Sequence, residues 1–215
     1  MKKITRNHHF SLLAAALLLS TNLAMATESP VAGKQYKLLK PPQPTNVEPG
    51  KIEVVEVFWY ACGHCYVIEP AVESWNKKGR ADNVQLIQMP ATWNDLLKIH
   101  ARAFYTVETL GKPELHNEIF REINVRGNRL DTTEKLEDFF ASKGVSNEEF
   151  MKTYNSFPVE TSVRRAEELN RRYQITSTPT FIVNGKYKTD VGMAGSEEKL
   201  FETINALAAM ETPAG

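Results

Sequence analysis

Ile52-Glu53-Val54-Val55-Glu56-Val57-Phe58-Trp59-Tyr60-Ala61-Cys62-Gly63-His64-Cys65-Tyr66 is the stretch that decides the fold. Its first part, Ile52 to Tyr60, is almost continuously apolar and rich in Val and aromatics. That is how a strand buried on both faces reads. It gives way at once to a helical stretch, and the boundary holds Cys62 and Cys65, the only two cysteines of 215 residues. Two residues between cysteines in the first turn of a helix bring both sulfurs within disulfide reach. They also leave the first sulfur at the helix tip, open to solvent. Unpaired N–H groups and the positive end of the macrodipole favour a thiolate there. A strand running into C-x-x-C at a helix start therefore points to a dithiol/disulfide redox centre. Cys62 is the expected nucleophile and Cys65 the residue that closes the disulfide. His64 can add positive charge or a hydrogen bond to the same sulfur.

Two rival readings of the pair stay open from spacing alone. A purely structural disulfide would close a very small loop and gain little entropy. A zinc site usually needs four ligands, and two cysteines with one interposed histidine fall short.

Glu56 interrupts the apolar strand. A carboxylate in such a run is costly unless paired or protonated, and six residues before Cys62 it can lie beneath the redox pair and handle protons. The alternative is an edge position that reaches solvent.

Residues 1–26 have the three parts of a secretory signal. Lys2, Lys3 and Arg6 form a basic start, Phe10 to Ser20 an apolar core too short to span a bilayer, and Ala24-Met25-Ala26 an A-x-A cleavage site. The alternative is an uncleaved anchor or an amphipathic helix. Export fits the chemistry, because disulfides persist in oxidising compartments, and the expected location is the bacterial periplasm. The whole chain balances 26 basic against 26 acidic residues, and no basic tract suggests nucleic acid. A hydrophobic content of 42% is ordinary for a chain that buries a core.

Residues 27–50 hold a short strand around Tyr36-Lys37-Leu38-Leu39, then a connector marked by Pro41, Pro42, Pro44 and Pro49-Gly50. Residues 51–91 contain the strand and redox helix, with a kink expected at Pro70 and a stop at Gly79 after about Lys78. A second strand follows, Val84 to Met89, closed by Pro90. Residues 92–173 change to helical spacing, with Leu96, Leu97, Phe104, Val107 and Leu110 in the first helix. Further helices fit 113–125, 132–143, 147–156 and 160–173. Capping boxes are expected at Ser146 with Glu149 and at Asp131 with Glu134. His100 and His116 in this block read as surface or core histidines rather than ligands. In residues 174–215, Thr180-Phe181-Ile182-Val183 runs into Asn184-Gly185, a strong hairpin signal. A last helix starts at Ser196 and runs to about Met210, with Leu200, Ile204 and Leu207 on one stripe. The order is that of an α/β fold with a helical insertion.

Ser177-Thr178-Pro179-Thr180, taken with Phe58 to Tyr66, resembles the thioredoxin superfamily, and more narrowly the DsbA family of periplasmic thiol:disulfide oxidoreductases. The resemblance covers essentially the whole chain after the signal. It implies a thioredoxin fold with an inserted helical subdomain and no cofactor or metal. It also implies a cis Pro179 beside the cysteines and a Thr178 backbone that pairs with an extended substrate segment. Glu56 matches the family's buried acid. The implied partners are reduced or unfolded exported proteins, and a DsbB-like membrane protein that reoxidises the pair. Two positions depart from the family. Gly63-His64 stands where Pro-His is usual and is the dipeptide of eukaryotic disulfide isomerases. Thr178 stands where Val is frequent before the cis-proline. Gly63 loosens the loop, and the Thr178 hydroxyl can hydrogen-bond a sulfur or a substrate, so both bear on the balance between oxidase and isomerase.

A disulfide isomerase or reductase is the alternative reading, and a non-catalytic thiol-binding chaperone or metal-delivery protein is a further one. Isomerases of the DsbC type carry an N-terminal dimerisation domain, which the segment from Thr27 to Lys51 is too short to form.

Overall fold

The computed structural model describes residues 29–212. The signal at 1–26 lies outside them. Five strands and eight α-helices follow in the order β1 (Lys37–Leu38), β2 (Ile52–Phe58), α1 (Gly63–Ser74), β3 (Val84–Pro90), α2 (Asp95–Leu110), α3 (Glu114–Asn124), α4 (Thr133–Ser142), α5 (Asn147–Tyr154), α6 (Phe157–Arg172), β4 (Thr180–Val183), β5 (Tyr187–Thr189), α7 (Val191–Ala194) and α8 (Glu197–Glu211). The sheet order is β1-β5-β4-β2-β3. β2 and β3 are parallel, as a strand–helix–strand crossover requires. β4 runs antiparallel to β2, pairing Val57 with Thr180 and Glu56 with Phe181. This is a thioredoxin-type sheet with five helices, α2 to α6, between β3 and β4.

β2 is an interior strand between β4 and β3, and every one of its residues is buried. Period-2 alternation sends Val54 and Phe58 to the side of α1, and Val55 and Val57 to the side of α2 and α6. Val54 packs with Ile68 and Val72 of α1 and with Leu200 and Ile204 of α8. Val55 and Val57 pack with Leu97 and Ala166. Phe58, Tyr60 and Cys65 join a third cluster with Phe104, Ile119, Phe120, Phe140 and Phe150 of the helical block. Each large side chain removed from water there contributes roughly 1.5–3 kcal/mol, so the redox turn and the insertion share one core.

Several local expectations are corrected. Cys62 is the N-cap of α1, which begins at Gly63. The regular helix passes through Pro70 to Ser74 and then widens into a π-helical turn, Trp75–Gly79, closed by Arg80 N–H to Trp75 O. Gly79 is needed there, because a Cβ would lie 2.9 Å from Trp75 Cδ1. The cap of α4 is Thr132, whose hydroxyl accepts from Lys135 N–H. Asp131 instead pairs with Lys135 at 2.7 Å. Ser146 does cap α5. α6 starts at Phe157 rather than Glu160, since Pro158 fits a first turn whose N–H groups have no intrahelical partner. α7 carries no periodic pattern and was not expected. The hairpin forms at Asn184-Gly185, both with positive φ (49° and 65°). Gln43 N–H donates to Gly185 O at 2.8 Å, which ties the proline-rich connector to the hairpin.

Candidate active site

Cys62 caps α1 with its sulfur. Cys62 Sγ accepts from Cys65 N–H at 3.4 Å, and its thiol donates to Thr178 O, also at 3.4 Å. The two thiols are unpaired; Cys62 is half-buried and Cys65 fully buried. The Cys62 thiol is held down at about 5, first by hydrogen bonding from Cys65. Burial opposes this, while the Thr178 side chain and the N–H groups of Cys65 and His64 add to it. Burial and the neighbouring Cys62 sulfur push the Cys65 thiol far above the ordinary thiol range. The asymmetry is that of a half-exposed nucleophile and a buried resolving thiol. His64 acts on this sulfur through its backbone; its ring is exposed. A Cβ at Gly63 would meet nothing within 4 Å, so packing does not demand glycine there.

The peptide between Thr178 and Pro179 is cis. The register of β4 against β2 carries this loop to the end of β2 where Cys62 sits. Four sequence-predicted residues therefore meet: Cys62, Cys65, Thr178 and Pro179.

Glu56 is fully buried, but its partners are not the sulfurs. Gln88 Nε2 donates to Glu56 Oε2 at 3.0 Å and to Glu69 Oε1 at 3.1 Å, bridging two carboxyls. Burial, and then the charge of Glu69, raise the Glu56 carboxyl to about 8, with Gln88 opposing. Glu69 lies four residues after Cys65 on the buried face of α1. Sequence reasoning missed Glu69 and Gln88. The one signal for Glu69 was its i+4 spacing from Cys65 on the face that also carries Ile68 and Val72.

The two histidines read as surface or core residues rather than ligands are both buried, and both grip the redox turn. Trp59 Nε1–H donates to His100 Nδ1 at 2.9 Å, and His100 Nε2 lies 3.0 Å from Arg129 O. Since indole only donates and a carbonyl only accepts, His100 is neutral with its hydrogen on Nε2. Burial lowers its pKa accordingly. Tyr60 OH lies 2.9 Å from His116 Nδ1, and Asn124 Nδ2 donates to Tyr60 O at 2.7 Å. Three side chains of α2 and α3 thus hold Trp59 and Tyr60, immediately ahead of Cys62.

A family model described as a DSBA-like thioredoxin domain matches residues 87–204. The thiol:disulfide interchange protein DsbA of Pseudomonas aeruginosa is 39% identical over 206 residues, covering 94% of this chain and 97% of its own. The chain belongs to the DsbA family. DsbA of Azotobacter vinelandii is 38% identical over 215 residues, covering 94% and 98%. The crystal structure of P. aeruginosa DsbA superposes with a TM-score of 0.79 at 40% identity, over 84% of this chain and 94% of that one. The Xylella fastidiosa oxidoreductase DsbA gives 0.79 at 28%, over 86% and 100%. This DsbA-family chain is a thiol:disulfide oxidoreductase with the thioredoxin-like fold of its relatives. No helix among the described residues is long and apolar enough to cross a membrane.

Proposed function

We propose that Cys62 and Cys65 are the redox centre, and that the chain works in the periplasm by donating their disulfide to reduced or unfolded exported proteins. The observation that carries this is the pairing of a half-exposed Cys62 thiol held at about 5 with a buried Cys65 beside Thr178-Pro179. A substrate thiolate attacks Cys62 Sγ of the disulfide. The Cys62–Cys65 bond breaks, a mixed disulfide forms, and Cys65 leaves as a thiolate that takes up a proton. A second substrate thiolate attacks the substrate sulfur of that mixed disulfide. The substrate disulfide forms and Cys62 departs as a stable thiolate. A low thiol pKa favours the reduced pair and so makes the disulfide a stronger oxidant; DsbA proteins are themselves the standard illustration of that linkage.

The remaining roles follow. Thr178 presents its backbone to an extended substrate segment beside Pro179. Gly63 and His64 tune Cys62. Glu56 holds a proton beneath α1 and supplies it to the departing Cys65 thiolate. A DsbB-like membrane protein reoxidises the pair. Trapping tests the assignment. Cys65→Ser should accumulate mixed disulfides between Cys62 and exported proteins whose own disulfides its thiolate attacks, and Cys62→Ser should accumulate none. Equal trapping by the two variants would refute the assignment.

A further inference from the structure

The mechanism above places one proton on a buried pair of carboxyls and leaves open what decides its place. Gln88 cannot decide it, because its amide nitrogen donates to Glu56 and Glu69 alike. Two features separate the carboxyls. Glu69 borders an open groove of about 260 Å3 between α1 and α3, lined also by Tyr66, Pro70, Glu73, Asn117 and Arg121. Glu56 has no exposure, and its Oε1 has no hydrogen-bond partner. The second feature is His116, whose Nε2 lies 3.3 Å from Glu69 Oε1. That nitrogen is buried and has no aligned acceptor, while Phe58, Tyr60, Phe104 and Phe120 surround the ring.

We propose that His116 is a positioning residue of the redox reaction: with its Nε2 3.3 Å from Glu69 Oε1, it fixes Glu69 as the ionised carboxyl and leaves the transferable proton on Glu56. A Tyr60 O–H donating to Nδ1, 2.9 Å away, would hold the ring hydrogen on Nε2. The charge then sits on the carboxyl that borders the groove and stands beside a ring nitrogen, and the neutral acid on the one that adjoins neither. The other charges around His116 are compatible. Glu73 on α1 is held by Asn117 Nδ2 at 2.6 Å, Arg121 stands at the groove, and Glu108 on α2 acts on the Tyr60 phenol. When a substrate thiolate reduces the disulfide, the Cys65 thiolate gains the Glu56 proton and Glu56 becomes a carboxylate. Water resupplies that proton by way of the groove beside Glu69.

This inference rests on the reading of Glu56 as the proton holder, and the test separates the two. Carboxyl 13C NMR of the glutamate-labelled, reduced full chain is followed from pH 4 to 9, with resonances assigned by E56Q and E69Q. The expected result is one titration in the neutral range, lost in E56Q, and retained in E69Q with its midpoint at lower pH. In H116L the Glu69 resonance should join the neutral-range titration, with its midpoint up by at least about one pH unit. H116Q, which keeps an N–H donor, should restore the native pattern. If H116L fails to fold, H116N, too short to reach Glu69, should behave as H116L was expected to. Loss of the neutral titration in E69Q, or unchanged Glu69 and Glu56 midpoints in H116L or H116N, would overturn the proposal. Absence of any neutral-range titration in the native chain would instead overturn the role of Glu56 itself, and this inference with it.

Discussion

Replacing Cys65 by alanine and by serine asks what holds the Cys62 thiolate. The largest contribution is hydrogen bonding from Cys65, and the N–H groups of Cys65 and His64 remain in either variant. A hydrogen bond to a charged group is worth about 1.5–3 kcal/mol, which corresponds to about 1–2 pH units. Cys62 is half-buried, so solvent screening favours the lower part of that range. Cys65→Ala should therefore move the Cys62 midpoint from about 5 to about 6. At pH 6 the thiolate fraction falls from ~90% to ~50%. Cys65→Ser keeps an O–H donor and should stay near the native value. Thiolate absorbance at 240 nm across pH 3–9, checked by the rate of iodoacetamide alkylation, reads this directly. A Cys65→Ala midpoint still at about 5, or indistinguishable alanine and serine variants, would refute the reasoning.

Trp59→Phe removes the donor to His100 Nδ1 and leaves a buried acceptor unpaired, so it should cost about 1–3 kcal/mol and lower Tm by about 2–4 °C for each of those; an unchanged Tm would count against the grip on the redox turn. Glu56 rises from 4.5 to about 8 in the folded chain. Between those values the folded state holds a proton that the unfolded state has released, so stability falls as pH rises through that window. Glu56→Gln should flatten the dependence and stabilise the reduced protein at pH 8, as urea midpoints at pH 4.5 and 8 would show; an unchanged slope would exclude Glu56 as its source. Gly185→Ala puts a Cβ 2.0 Å from Gln43 O at φ +65° and should cost well over 1 kcal/mol, read as a lower urea midpoint; a neutral effect would contradict the close packing of connector on hairpin.

What could be read from the sequence was what local patterns encode. The run from Ile52 to Phe58 is buried because it lies between β4 and β3 with helices on both faces, and the cysteines follow where helix begins. Asn184-Gly185 marks its hairpin because both residues accept positive φ. Glu56 stood out as a charge in an apolar run. Its partners did not, since Glu69, Gln88 and His116 meet only when α1, β3 and α3 pack, with His116 47 positions after Glu69. The grip of His100 on Trp59 escaped for the same reason, as it spans 41 positions. The π-helical turn at Trp75–Gly79 brings Gly79 too close to Trp75 for a Cβ, a fit that periodicity does not register. Thr132 and Asp131 compete for one cap, and only the backbone geometry decides between them.

The measurement closest to the central claim is the equilibrium of the Cys62/Cys65 pair with glutathione at fixed pH, read by intrinsic fluorescence or by alkylation and mass. A Cys62 thiolate held at about 5 favours the reduced pair, so the account predicts a potential more oxidising than the roughly −180 mV of a disulfide isomerase. A potential near the thioredoxin value of about −270 mV would contradict donation of disulfides by this centre.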